Sequence, residues 1–378
     1  RQPAGSQEIT HNPQPLERPR SLSLSGSFIY CIIMNKIRFW YNNARPSALP
    51  QSVMPALMAV CVAAANSEWH GFWCFDPDAF SLPLSLVAVV GIILAHLSVD
   101  LFDDYFDYRN AGIESRERLS RAGMRARLGK AEYLASGQAT LRQTFQVAAG
   151  LGVAAIAMGI IVFVFRGWTI ALVAGIGAVL GFFYSAPPLK LCYHGLGELL
   201  TGIMFGPLLM VGISIAACGF VPSGMGLIST AVGLLVINIL YTHSIMDCAP
   251  DISVGKQTLA TLLRRPVPQL AFSFVFNFVP FALVVIAVGM GYFNPWSLLV
   301  FLTLPMAIYL FRLMVIYCLE VQRSQPPRTF EPRWWMGSMQ MWDKIKEAGI
   351  DWFMIRWYLS RNLITFFVII LSITAFLR

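Results

Sequence analysis

Nine apolar runs of roughly twenty residues, the length of helix that crosses a bilayer, leave this chain little freedom in what it folds into. They lie near 47–65, 82–107, 143–165, 167–186, 196–218, 225–247, 268–290, 295–320 and 357–377. Hydrophobic residues make up 56% of the 378 and charged residues only 13%. A water-facing surface needs about a quarter charged residues, so soluble, disordered, collagenous and disulfide-framework classes are excluded together. The seven cysteines are scattered, with no CxxC pair, which excludes a zinc site as well. The expected fold is an all-α polytopic membrane protein, with nine transmembrane helices around a central cavity.

A net charge of +8 would suit nucleic acid, but its sources say otherwise. Lys36, Arg38 and Arg45, a run from Arg109 to Lys130, Lys190, a group from Lys256 to Arg265 and another from Arg323 to Arg356 all fall in alternate loops. The positive-inside rule makes that side cytoplasmic, with the N-terminus on it and the C-terminus across the membrane, as an odd number of spans requires. The expected setting is a bacterial inner membrane, with a lipid bilayer and no nucleic acid as partner. Residues 1–33, rich in Pro, Ser, Gln and Arg, are expected to be a disordered extension. A single transmembrane domain is expected over 34–378, opening at Met34-Asn35-Lys36. The stretch 321–356 carries Trp334, Trp335, Trp342 and Trp352 among Lys and Arg. It reads as a segment lying in the headgroup layer rather than as a lid.

Carboxylates at membrane helices are expensive and mark function, and here they cluster twice. Asp100, Asp104 and Asp107 fall on one helix face, with Asp103 beside them, at the end of the second run. Asp247 and Asp251 form an i, i+4 pair at the end of the sixth. One cluster could be a solvated helix end; two on the same side of the membrane point to a site. Oxygen donors at this density suit Mg²⁺, which binds through carboxylates plus substrate phosphates. Arg109, Arg116, Arg118 and Arg121 follow the first cluster, Lys256 follows the second, and Lys190 joins from the loop after the fourth run. Carboxylate-held Mg²⁺ ringed by cations is what a diphosphate leaving group requires.

From Ala44 to Arg378 the chain resembles the UbiA superfamily of intramembrane aromatic prenyltransferases. Asp103-Asp104-Tyr-Phe-Asp107 matches the family's N-D-x-x-D with Asp103 in the Asn place. Asp247 and Asp251 match D-x-x-x-D, followed by Gly255-Lys256-Gln257-Thr258-Leu259-Ala260. Tyr184-Ser-Ala-Pro187-Pro188-Leu-Lys190 and Gly195-Leu-Gly197-Glu198-Leu match further stretches. Ala44-Arg45-Pro46 and Asp104-Tyr-Phe-Asp107-Tyr look most like the menaquinone-pathway branch, which prenylates 1,4-dihydroxy-2-naphthoate. Three features depart from that branch: Asn110 and Ala111 replace a third acid, although Glu114 is near; Ser244-Ile-Met246 replaces Asn-Leu-Arg; and 321–356 is long.

The resemblance implies transfer of a polyprenyl group from polyprenyl diphosphate to an aromatic acceptor by ionisation of the allylic C–O bond. It implies two Mg²⁺, with Mn²⁺ as a substitute, held by Asp104, Asp107, Asp247 and Asp251, with Asp100 and Asp103 as further ligands. Lys190, Arg121 and Lys256 would supplement the metals; Arg45, Arg109 and Tyr184 would help bind the donor; His243 or a spare acid would take the acceptor's proton. Another acceptor, such as 4-hydroxybenzoate, is the nearest alternative. An ion-coupled transporter would place its acids at mid-membrane within an internal repeat. A CDP-alcohol phosphotransferase would carry D-x-x-D-G-x-x-A-R, which does not occur.

Overall fold

A computed structural model describes residues 26–76, 78–122, 131–253 and 257–377. The chain divides into two compact units, Arg1–Tyr41 and Asn42–Arg378. The described part of the first belongs to helix α1 (Gly26–Asn43), so helix begins before the expected boundary at Met34. The second unit carries everything below. It consists of α2 (Pro50–Ala65), α3 (Leu82–Ala122), α4 (Glu132–Ala135), α5 (Leu141–Arg166), α6 (Trp168–Phe183), α7 (Gly197–Cys218), α8 (Met225–Met246), α9 (Cys248–Ser253), α10 (Leu259–Leu263), α11 (Pro266–Gly289), α12 (Pro295–Gln322), α13 (Trp342–Glu347) and α14 (Asp351–Thr374). Among the described residues there is no strand, only one bridge between His194 and Gln257.

Seven of these helices are long and apolar enough to cross a membrane: α3, α5, α7, α8, α11, α12 and α14. The other two expected runs form α2 and α6, of 16 residues each. At 1.5 Å per residue such a helix reaches about 24 Å, short of a hydrocarbon core about 30 Å thick. The second run does not stop at its aspartates: α3 continues to Ala122. From Tyr108 to Ala122 the chain has one glycine, no proline and many Glu, Arg and Ala residues, all good helix formers. The first acidic cluster is therefore held inside a continuous helix, not at its frayed end.

Helices α7 and α8 fix the centre of the unit. Gly202 and Gly206 of α7 face Gly233 of α8 so closely that a Cβ on Gly206 would lie 2.5 Å from Gly233 Cα and 2.6 Å from Ser229 O. Small residues at four-residue spacing allow such backbone contact in membrane helices. At the same place α7 widens into a π-turn, Met204–Leu208, around Pro207, an irregularity often found where a helix lines a site. Gly206→Ala is expected to destabilise the protein by about 1–3 kcal/mol, because the obstruction is backbone that cannot swing away. Thermal unfolding in detergent checks this, and a melting temperature equal to wild type would contradict the close approach.

Other contacts lock α8 to its neighbours. Asn238 and Asn277 exchange amide hydrogen bonds of 3.1 and 3.2 Å between α8 and α11. Tyr241 donates to the Gln269 carbonyl at 3.0 Å, and Tyr317 of α12 donates to the Met246 carbonyl at 3.0 Å. That last bond holds the end of α8 one residue before Asp247. The side chain of Arg356 in α14 is wholly buried. It donates to the Leu313 carbonyl at 3.2 Å and to the Trp352 carbonyl, tying α14 to α12.

Candidate functional site

The two acidic clusters meet. Asp103 and Asp107 from α3, Asp247 just past the end of α8 and Asp251 from α9 line one small cavity, together with Glu198, Tyr184, Tyr193, His243 and Thr258. On α3, Asp103 and Asp107 are one turn apart and share a face. Ser185 donates to Asp103 Oδ1 at 2.5 Å, and Tyr193 donates to Asp107. Burial first, and then the adjacent Asp107 carboxylate, raise the Tyr193 phenol well above its ordinary pKa, so it stays a donor. On the other wall, the Asp251 amide bonds to the Asp247 carbonyl at 2.9 Å, carrying the helical path past the end of α8 and keeping the pair on one face.

Asp104 does not face this cavity. Its side chain is fully buried (0% exposed), bonded to Arg45 at 2.7 Å and to the hydroxyl of Tyr133, on α4, at 3.4 Å. Arg45 also reaches Asp103 Oδ2 at 3.3 Å and the Asp100 carbonyl at 2.9 Å. Burial opposes its charge, but the carboxylates of Asp104, Asp100 and Asp103 outweigh that, and the guanidinium is held above its ordinary value. Arg45 thus clamps the start of the domain onto α3. It fits a structural role better than the donor-binding role expected from sequence, and Asp104 fits a structural role better than a catalytic or metal-binding one.

The remaining expected residues divide. Asp100 and Tyr184 line a larger cavity of about 640 Å³ that shares Asp103, Tyr184, Leu240 and His243 with the acidic one. His96 Nε2 lies 3.6 Å from Asp100, and its Nδ1 is 2.6 Å from Ser52 Oγ. Lys190 and Arg109 line neither cavity; Arg109 donates to Tyr105 on its own helix at 3.1 Å. The Arg121 side chain and Lys256 lie outside the described residues.

Sequence reasoning left Glu198, Tyr193 and Ser185 without roles, although the matched stretches ran through or beside them. The Glu198 carboxylate accepts the Leu259 amide at 3.2 and 3.3 Å. Thr258 caps the same helix start, α10, in a reciprocal pair with Thr261. The Gly195 amide bonds to the Gln257 carbonyl at 3.2 Å. The stretches around Gly197-Glu198 and Thr258-Leu259 therefore hold each other beside the acidic cavity. The segment read as an interfacial anchor also contributes, since Gln340, Met341 and Ile345 form part of the larger cavity's wall.

The four aspartates of this cavity offer oxygen ligands, the chemistry Mg²⁺ prefers. Among the described residues no three acidic, histidine or cysteine side chains lie close enough to grip an ion unaided. That suits a metal bound through one or two carboxylates and completed by water and substrate phosphate, and suits less well a closed protein cage. From the larger cavity, Met204 and Phe205 of α7 lead into an apolar groove of about 200 Å³ lined by Gly91 of α3, Gly159 and Val162 of α5, and Val173 and Gly177 of α6.

The sequence pattern of the UbiA prenyltransferase family matches residues 52–342. A 1,4-dihydroxy-2-naphthoate octaprenyltransferase of Bacillus subtilis is 27% identical over 263 residues, 69% of this chain and 77% of that protein. A 2-carboxy-1,4-naphthoquinone phytyltransferase of Synechocystis is 26% identical, over 73% of this chain and 82% of that protein. Among solved structures, a UbiA homologue from Aeropyrum pernix in its apo form superposes with a TM-score of 0.54 at 17% identity, covering 85% of this chain and 96% of that one. One from Archaeoglobus fulgidus bound to DMAPP and Mg²⁺ gives 0.52 at 14%, covering 88% and 99%. At these identities the structures speak for the fold.

Proposed function

Because this chain belongs to the UbiA prenyltransferase family and is an integral membrane prenyltransferase, we propose that it transfers a polyprenyl group from polyprenyl diphosphate to 1,4-dihydroxy-2-naphthoate. The observation that carries this reading is the convergence of Asp103, Asp107, Asp247 and Asp251 on one cavity that opens into a larger, aromatic-lined one. These four carboxylates would hold two Mg²⁺, one pair for each ion, with Mn²⁺ as a substitute. The metal would offset the charge that grows on the diphosphate as the allylic C–O bond breaks.

The chain's own groups orient the reaction. Ser185 and Tyr193 fix the carboxylates of α3 by donating to them, so the diphosphate site is preorganised before substrate arrives. The prenyl tail lies in the apolar groove beyond Met204 and Phe205. The acceptor ring occupies the larger cavity beside His243, whose ring packs edge-on against Phe353 at 5.1 Å. From there His243 takes the proton that the acceptor gives up. The acidic cavity faces the cytoplasm of a bacterial inner membrane, as the Lys and Arg loops favour. Trp334, 93% exposed, sits in the headgroup layer.

Membranes carrying the protein, given labelled polyprenyl diphosphate with 1,4-dihydroxy-2-naphthoate and 4-hydroxybenzoate in competition, are expected to yield mainly lipid product that carries the prenyl group on the naphthalene ring system rather than on 4-hydroxybenzoate. No prenylated product from either acceptor would sink the proposal. In the same assay His243→Asn is expected to shift the product ratio by about threefold or more, since both acceptors share one donor and any effect on the donor cancels in the ratio. An unchanged ratio returns His243 to a packing role.

A further inference from the structure

Arg361 is a charge in an unusual place. It lies ten residues past Asp351, the start of α14, about 15 Å along that helix, inside a segment apolar enough to span the membrane. Such a charge is costly unless paired or used. Arg356, five residues before it, is accounted for by its carbonyl partners and by the rings of Tyr317 and Phe330 at 5.4 and 5.7 Å. Arg45, the other arginine lining the larger cavity, is engaged by Asp103 and Asp104.

Arg361 differs from both. Its guanidinium carbon stands 4.7 Å from the Tyr358 ring centroid and 5.3 Å from that of Trp357. One Nη donates a long 3.4 Å bond to Asn362 Oδ1. Among the described residues it forms no ion pair. A guanidinium offers five N–H donors, so most of its capacity is unspent. It lines the larger cavity beside Phe353, Trp357 and Tyr358, and Tyr358 is itself tethered to the Gln340 carbonyl at 3.1 Å. The cavity therefore has oxygen ligands at one side and, on its α14 wall, a stacked cation among flat aromatic rings.

We propose that Arg361 is the binding residue for the carboxylate of an aromatic acceptor, with Trp357 and Tyr358 holding the guanidinium flat and walling the ring. This rests on the prenyl-transfer reading above and adds to it the residue that holds and orients the acceptor's acid group. Arginine stacked on aromatic rings presents a rigid fork that matches a carboxylate with two parallel bonds, which lysine does not reproduce. The carboxylates of Asp100 and Asp103 on the same cavity repel an anion, so the acid group is steered to the α14 wall and the ring takes one orientation toward the acidic side.

The test compares two probes that differ only in the acid group, 1-hydroxy-2-naphthoate and 1-naphthol. Their binding to the full-length chain is measured by calorimetry in lipid-free detergent, and again in nanodiscs with phosphatidylglycerol. Wild type is expected to prefer the carboxylate probe. Arg361→Gln should weaken that probe about tenfold to a hundredfold, leave 1-naphthol within about twofold and leave prenyl diphosphate affinity unchanged, with Arg361→Lys falling between. The inference is overturned if wild type holds both probes alike, if Arg361→Gln weakens both or neither, or if the difference appears only with phosphatidylglycerol, which would make a lipid phosphate the ligand. Should the glutamine variant fail to fold, the lysine variant decides: a selective loss supports the assignment and unchanged affinity overturns it. Prenyl transfer by wild type is read in parallel. Transfer without a carboxylate preference sinks this inference alone, whereas absence of transfer sinks the parent reading.

Discussion

Asp107→Asn and Asp247→Asn are each expected to lower kcat at least about a hundredfold while the melting temperature moves by less than about 3 °C. Asparagine keeps the shape and, at 107, an oxygen to accept from Tyr193, so packing is preserved. What disappears is a negative charge facing the cavity, and with it a ligand for the cation that balances the diphosphate. Removing one member of a crowded carboxylate group also relieves repulsion in the metal-free protein, which favours the fold slightly. EDTA should reproduce the loss in the wild type, and added Mg²⁺ or Mn²⁺ should reverse it. Undiminished turnover in chelator would remove the metal from the mechanism. A variant that unfolds, with activity retained in its refolded fraction, would make these aspartates structural.

Arg45→Ala is expected to fail in the opposite way, costing about 3–5 kcal/mol of stability while the folded fraction still turns over. Asp104 has no exposure to water, so deleting the guanidinium 2.7 Å away strips a buried carboxylate of its arginine partner. Burial then acts on that charge with less to offset it, which is the costly half of breaking a buried pair. Asp104→Asn alone should cost less, because the amide still accepts from Arg45 and no charge is stranded. The double variant should be more stable than Arg45→Ala alone. Thermal melts of the four proteins form the cycle; simple additivity would show that the ion pair is not what holds α3 to the start of the domain.

Those two results would separate neighbours in one motif, and the separation shows where sequence reading stops. Asp103 and Asp104 are adjacent, and both fit an acidic motif at a membrane helix. Successive residues on a helix point about 100° apart, and which of them faces the cavity depends on how α3 is turned about its own axis. That rotation is fixed by bonds to Arg45 and Tyr133, which lie 59 and 29 residues from Asp104 in sequence. Length and hydropathy say nothing about it. The same holds for Glu198, legible as part of a matched stretch but placed at the cavity only because Leu259 comes to it.

The membrane class, the all-helical fold and the two acidic clusters were legible without coordinates. Apolar length answers to bilayer thickness, and carboxylate spacing answers to the helical repeat; both are local properties of the chain. Two runs became helices of 16 residues, because where a helix stops depends on its flanking turns as well as on its apolar content. A central cavity was expected, but which residues line it was not legible. Its wall joins Asp100 on α3, Met204 on the widened turn of α7, Gln340 in the connecting segment and Arg361 on the last helix. Only the packing of helices remote in sequence brings an arginine of α14 into the same cavity as the aspartates of α3, and no periodicity within either helix encodes that meeting.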